Sequence, residues 1–401
     1  MMEPLNCASN CTFYDLLQVH PSIGEVLLPF WYNHTLPNPI HVKLASTYMA
    51  IVSLIGFIGN LLIVVVFTCW TPKRTSQDLL VINLAIGDAL FAVIDGFLLK
   101  SLSGFATHWT YGSSGCTLYG FTSGIFGFVS LGSMTFIAIE RYYGAVRVKA
   151  HTGTKKRAIW ILPSIWIWSA IWPSLPFFGI GHWVLEGFQT SCTFDYISND
   201  LLNRFFTASL FIGGFLVPAT ATVIAYSAVY IILQQSSRKL HHMFRSKGFN
   251  YAKGYQIRQM RLARTSCIAF VLFVMSWGPY ATVALIALMG YPNHLTNFTT
   301  ELPGLFAKTS TVYNPFLFAT QDRKFRKVVA LHLPLLQRFL SHTRQESSVK
   351  QTCTKQRSLK GILSRLSRSS ISTTKGANAP SDELVALNRR AMNVATRSSS
   401  R

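Results

Sequence analysis

Seven long apolar stretches separated by short polar loops constrain this chain more than any other feature. They run near 44–69, 79–102, 113–146, 156–178, 201–236, 256–289 and 299–320, and each reaches the roughly 20 residues that carry a helix across a bilayer. In hydrocarbon every backbone amide must find its partner inside the protein, which leaves helices or a closed barrel. Runs of this length give helices. The expected fold class is therefore an all-α membrane protein, a seven-transmembrane helix bundle over 44–320. Soluble helical proteins would show narrower amphipathic stripes.

The charges agree with that topology. The net charge is +22, yet the basic residues are not interleaved with base-stacking aromatics as a nucleic-acid surface requires. They fall in alternate loops: Lys73 and Arg74 in the first; Arg147, Lys149, Lys155, Lys156 and Arg157 around the third; Arg238, Lys239, Arg245, Lys247, Lys253, Arg258 and Arg261 in the fifth. Lysine and arginine mark the cytoplasmic side, so the N-terminus is expected outside and the C-terminus inside. Residues 1–43 read as a polar, irregular extracellular segment without the apolar core of a cleavable signal, and the first span is expected to direct insertion. Residues 321–334 read as a short amphipathic eighth helix on the membrane surface. Residues 335–401, rich in Ser, Thr, Lys and Arg, read as a disordered tail.

One residue stands out inside the seventh run. Lys308 lies near its middle, and a free ammonium at that depth costs several kcal/mol or more. A desolvated lysine has a lowered pKa, and its neutral amine can condense with a carbonyl compound. The plainer reading is a structural lysine paired with a buried acid. Asp88 and Asp95 in the second run are also intramembrane acids that need partners. Seven residues separate them, which on an α-helix puts both on one face.

The string Lys308-Thr309-Ser310-Thr311-Val312-Tyr313-Asn314-Pro315 resembles the retinal-attachment region of opsins, the light-sensing branch of the rhodopsin-like G-protein-coupled receptors. The resemblance extends from Asn60 to Arg326. It includes Asn83 to Asp88, Glu140-Arg141-Tyr142 placed twenty-five residues after Cys116 (counted to Arg141), and Trp277-Gly278-Pro279-Tyr280. It implies 11-cis-retinal held by Lys308 through a Schiff base. Trp277 would then pack against the polyene, and Tyr280, Tyr196, Gly127, Phe211 and Phe215 would complete the wall. Aromatics at helical spacing are more often plain core, and only Lys308 raises the pocket reading. The same resemblance implies a disulfide between Cys116 and Cys192 and a polar site around Asp88 that can hold water or sodium. Cys7 and Cys11 could form a second bridge, and Cys69 and Cys267 read as small buried residues.

A protonated Schiff base in apolar surroundings needs a carboxylate, or it loses its proton. Vertebrate visual opsins place a glutamate three residues after the first disulfide cysteine; this chain has Tyr119 there. The order of candidates is Glu186, six residues before Cys192; then Asp95; then Glu301, two helical turns before Lys308 and expected near the surface. These departures suit an invertebrate or non-visual opsin.

For signalling, Arg141 is expected to pair with the adjacent Glu140 at rest and to turn toward a heterotrimeric G protein on activation. The acid that often locks this arginine from the sixth helix is replaced by Gln259. Phe318 stands where relatives have a tyrosine, and Asp322-Arg323-Lys324 matches neither the vertebrate visual nor the usual squid-and-insect triplet, which leaves the G-protein class open. Ser347-Ser348 and Ser369-Ser370 are candidate sites for a receptor kinase and hence for arrestin; a solvated tail near anionic lipid explains them equally well. Cys353 is either palmitoylated or free. Asn10 and Asn33 are candidate glycosylation sites, and Asn297 lies in a third sequon close to the membrane.

The reading is a light-activated, plasma-membrane receptor rather than an enzyme. Its rivals are a retinal photoisomerase, which would keep Lys308 without needing Arg141, and a chemosensory or peptide receptor with an incidental lysine.

Overall fold

The computed structural model describes residues 11–71, 75–146, 155–242 and 249–333. Among them five helices are long and apolar enough to cross a membrane: Pro39–Thr68, Ser76–Phe105, Gly112–Val146, Leu201–Gln235 and Gln259–Leu288. These are the first, second, third, fifth and sixth spans. The third is central, packing against the second, fourth, fifth and sixth. Buried side chains tie the bundle: Asn83 Nδ2 donates to Ser133 Oγ at 2.9 Å while its Oδ1 accepts from Trp166 Nε1 at 2.9 Å, joining the second, third and fourth spans.

Several expected boundaries move, each for a local reason. The first helix begins at Pro39, five residues early, because Asn38 caps it through Ile40 N and proline suits a first turn. The fourth stops at Ile171 and gives way to a 3-10 turn at Leu175–Phe178, where Pro173 and Pro176 deny the helix its amides. The seventh span is two helices, Asn297–Lys308 and Ser310–Gln321, broken directly after Lys308. Thr309 and Thr311 hydroxyls donate to the carbonyls of Phe306 (2.6 Å) and Lys308 (3.0 Å), replacing ladder bonds at the break. Pro315 has no N–H for the carbonyl four residues back, that of Thr311. Asn60 Nδ2 from the first helix takes that carbonyl at 2.8 Å.

Two stretches are wound as π-helix, Phe91–Ser101 and Leu210–Leu216. The first overturns the two-turn spacing expected between Asp88 and Asp95, since a π turn takes more residues and rotates every later side chain. Asp95 therefore sits in a differently wound stretch from Asp88.

The N-terminal segment is not irregular. Residues 11–38 hold a helix at Phe13–Val19 and 3-10 turns at Pro21–Ile23 and Pro29–Trp31. Phe13, Leu16, Ile23, Val26, Leu27 and Trp31 are buried in one apolar cluster with Trp109, Tyr119, Trp183 and Leu185. This cluster meets a hairpin of β1 (Trp183–Glu186) and β2 (Ser191–Phe194), and Leu185 N donates to Val26 O at 2.8 Å. The Cys116–Cys192 disulfide fastens β2 to the third helix, as expected. Cys11 is disulfide-bonded too, while Cys7 lies outside the described residues.

At the opposite end, Arg323–His332 forms a helix capped by Asp322 through Phe325 N. Phe325 and Phe318 pack with Phe67, so the ring at 318 fills an aromatic cluster in place of making hydroxyl bonds. Lys324 joins this helix to the second through Asp78 at 2.7 Å. Cys69 is exposed, against expectation, because it lies at the end of the first helix. Cys353 and the serine pairs of the tail, the sequon at Asn10, and the basic loop residues Lys73, Arg74, Arg147, Lys149, Arg245 and Lys247 fall outside the described residues. Asn33 is exposed, whereas Asn297 is buried with its Nδ2 donating to Thr35 O at 2.8 Å, which occupies the nitrogen a glycan would need.

Candidate functional site

A cavity lies beneath the hairpin between the third, fifth, sixth and seventh spans, about 950 Å³ counted out to its mouth. Gly127, Phe211, Phe215, Trp277 and Tyr280 line it, as expected of the wall, and Lys308 lines it from the end of the first half of the seventh span. The lining is mostly apolar and aromatic, with Phe91, Phe128, Phe194 and Phe273 adding to the expected rings. Trp277 is fixed on several sides. Its Nε1 donates to Ser310 Oγ at 3.3 Å, its ring stacks with Phe273 and Phe91, and a Cβ at Gly127 would come within 3.2 Å of it. Glycine at 127 thus lets the third helix approach the indole.

Glu186 is the one acidic side chain in the lining among the described residues. It is buried and not a solvated loop acid. Tyr196 donates to its Oε2 at 3.0 Å and the Tyr280 hydroxyl reaches its Oε1 at 3.5 Å; Tyr280 also bonds the Thr193 hydroxyl. A Cβ on Gly304 would lie 3.8 Å from Glu186 Oε1, which sets the carboxylate beside the seventh helix one turn before Lys308. Burial pushes the Glu186 carboxyl up to about 7, against the pull of the Lys308 charge. Lys308 itself makes no ion pair or hydrogen bond through Nζ among the described residues; its nitrogen lies 5.5 Å from the centre of the Tyr119 ring.

Asp95 is fully buried but does not line the cavity. Thr122 donates to its Oδ1 at 2.8 Å, and its Oδ2 has no hydrogen-bond partner among the described residues. Glu301 is not near the surface. It is 3% exposed and pairs with Lys100 at 2.5 Å, a lysine the sequence reading passed over. Asp88, in the lower half, accepts from Ser130 at 2.5 Å and Asn314 at 2.7 Å, so both oxygens already hold donors where a sodium ion was considered.

At the cytoplasmic end the adjacent-pair expectation fails. Glu140 takes Arg157 of the fourth helix at 3.0 Å, while Arg141 donates to Gln77 of the second. Neighbouring side chains on a helix point about 100° apart, so each finds a partner on a different neighbour. Tyr142 packs against Tyr143. Gln259 lies against Gly144, one turn past Arg141, and its Oε1 has no hydrogen-bond partner among the described residues.

With this geometry in place, likeness to known proteins is informative. Residues 59–318 match the family model of the seven-transmembrane receptors of the rhodopsin family. The chain belongs to that family. It is 32% identical over 324 residues to a rhodopsin of Enteroctopus dofleini, covering 77% of this chain and 71% of the relative. It is 34% identical over 296 residues to the "Rhodopsin, GQ-coupled" of Mizuhopecten yessoensis, covering 73% of this chain and 59% of that one. Squid rhodopsin has a similar solved structure, with TM-score 0.75, 31% identity, and coverage of 78% of this chain and 91% of that one. The protein is an opsin, a light-sensing multi-pass membrane receptor.

Tyr196, expected in this opsin's wall, and Tyr119, at the vertebrate counterion position, both sit outside the cavity lining. Tyr119 lies over the Lys308 amine, buried toward the N-terminal cluster, and Tyr196 acts on the cavity through Glu186. Lys100 was legible only as a basic residue near the end of an apolar run, where lysines usually anchor to the interface.

Proposed function

We propose that this opsin carries 11-cis-retinal on Lys308 as a Schiff base, with Glu186 as counterion, and signals to a heterotrimeric G protein. The carrying observation is an amine that, among the described residues, has no ion pair of its own and faces an aromatic cavity whose lining holds one acid, Glu186. The fit is good: such a cavity suits a long apolar ligand with one polar end. When bound, retinal supplies a polyene that absorbs visible light and changes shape.

The chain's own residues do the rest. Glu186 sets a negative charge beside the amine, and Tyr196 and Tyr280 hold that carboxylate in place. The hairpin and the N-terminal cover exclude water, which strengthens the electrostatics beneath them. Trp277 senses a change in cavity shape. Pro279, two residues on, breaks the sixth helix's hydrogen-bond ladder and supplies a hinge. Outward motion there opens the cytoplasmic face around Arg141, so light converts a ligand favouring the closed bundle into one favouring the open bundle. The name of the Mizuhopecten yessoensis relative supports a Gq-class partner for this chain. The N-terminus is extracellular, the eighth helix lies on the membrane, and the tail serves kinase and arrestin.

The test is spectroscopic. Protein reconstituted with 11-cis-retinal should absorb well to the red of free retinal, and Lys308→Ala should abolish this while leaving the protein folded. Visible absorption that survives in Lys308→Ala would overturn the assignment.

A further inference from the structure

The ion pair of Lys100 and Glu301 is the most enclosed charge pair among the described residues, with both side chains 2% exposed. The ammonium meets three oxygens. Besides Glu301 at 2.5 Å, Lys100 Nζ donates to Thr190 Oγ1 at 2.8 Å and Ser191 Oγ at 3.0 Å. The other Glu301 oxygen accepts from Phe188 N at 3.2 Å. The pair therefore grips the turn of the hairpin from two helices. That turn has two residues in the left-handed region, Gly187 at φ +59° and Gln189 at φ +56°. A side chain at Gly187 would run into Glu301. Glu186 begins this same turn: it pairs with Ser191 across the strands, and its carbonyl accepts from Gln189 N at 2.9 Å.

The positions along the chain matter as much. Glu301 lies two turns before Lys308 on one helix, and Lys100 follows Asp95 by five residues in one π-wound stretch. The charges of Glu186, Lys100, Asp95 and Glu301 all act on Lys308, and the Tyr119 ring faces its amine. Counted together, three acids surround two bases. Lys100 cancels Glu301; of the two acids left, Asp95 does not line the cavity and Glu186 does.

We infer that Lys100 and Glu301 form a latch that positions the counterion: the pair pins the hairpin turn carrying Glu186 and, by mutual neutralisation, keeps Glu301 from competing for the charge at Lys308. The inference assumes the retinal-bound Lys308 proposed above. Lys100 and Glu301 touch neither the cavity nor the reacting atoms, so both are positioning residues.

The test uses Lys100→Met, Glu301→Gln and the double variant of the full chain, reconstituted with 11-cis-retinal and titrated by absorption. Lys100→Met removes a positive charge and should move the midpoint for loss of visible absorption upward by about one pH unit. Glu301→Gln strands the cation and should move it downward by a similar amount. The double variant should return close to the parent. Shifts of the same sign without recovery in the double variant, or no shift in either, would contradict the electrostatic half of the latch. Hydrogen exchange on the retinal-free protein reads the other half: amides 187–191 should exchange faster in both single variants, and unchanged protection would contradict pinning. Should the parent protein form no visible pigment, the reading of Lys308 fails first, and the exchange result still stands or falls by itself.

Discussion

The two ends of this opsin's bundle hold their charges differently. Toward the hairpin, Lys100, Glu301, Glu186 and Asp95 are all buried; Lys100 pairs with Glu301, Tyr196 donates to Glu186 and Thr122 to Asp95, under a cover fixed by a disulfide and an apolar N-terminal cluster. At the cytoplasmic end, Arg141 donates to the amide of Gln77 and Glu140 takes Arg157, on two different helices, and Gln259 Oε1 has no hydrogen-bond partner among the described residues. Breaking one partner of a buried ion pair costs about 3–5 kcal/mol, whereas a hydrogen bond from a charged donor to an amide, as from Arg141 to Gln77, is worth about 1.5–3 kcal/mol, and an ion pair with a partly exposed member such as Arg157 about 1 kcal/mol or less. The contrast teaches that the ligand end is built to hold one arrangement, and the output end to change arrangement at small cost.

The sharpest way to break the comparison is at the ligand end. Glu186→Gln should lower the pH at which the pigment loses visible absorption by roughly three units, leaving an ultraviolet-absorbing form at neutral pH. An unchanged spectrum would pass the counterion role to Asp95, whose Oδ2 has no hydrogen-bond partner among the described residues. At the output end, Gln259→Glu supplies the missing acid one turn from Arg141. It should cut light-independent G-protein activation by about tenfold, the worth of one charge-assisted bond, with the spectrum unmoved. An equal effect on both readouts would deny the independence of the two ends.

The smallest expected effect concerns the hairpin's outer edge, where His182 pairs with Asp195 at 2.9 Å. The hydrogen bond to Asp195 raises His182 above its ordinary value, while burial opposes it. A raised folded pKa means the contribution is complete below the ordinary histidine value and is lost as pH rises through the folded one. Asp195, where burial pushes up but the bonds from His182 and Ser198 prevail, is held below the usual carboxylate range. Its contribution is lost only in acid, as pH falls through its folded pKa. Hairpin protection should thus weaken slightly from neutral to mildly alkaline pH in the parent, and not in His182→Gln. Hydrogen exchange at 183–195 reads this directly.

Much of the fold was legible because hydrocarbon leaves a chain few choices: the seven runs and Lys308 are local signals, whereas Glu186 and the Cys116–Cys192 bond, 76 residues apart, came from the resemblance. What was missed depends on partners distant in sequence. Lys100 looks like an interfacial anchor until Glu301, two hundred residues on, is brought beside it. Glu301 looked exposed because it stands near a helix start, and only the folded hairpin buries it. The π-winding at Phe91–Ser101 has no clear mark in the sequence. The burial of Phe13 and Trp31 was signalled by their aromaticity but needed the hairpin as a surface to pack on.

The most direct test of the central claim is chemical. Retinal-loaded protein is reduced with borohydride, digested and analysed by mass spectrometry. The account predicts a retinyl group on the peptide containing Lys308 and an unmodified Lys100. An unmodified Lys308, or label on Lys100, would contradict it.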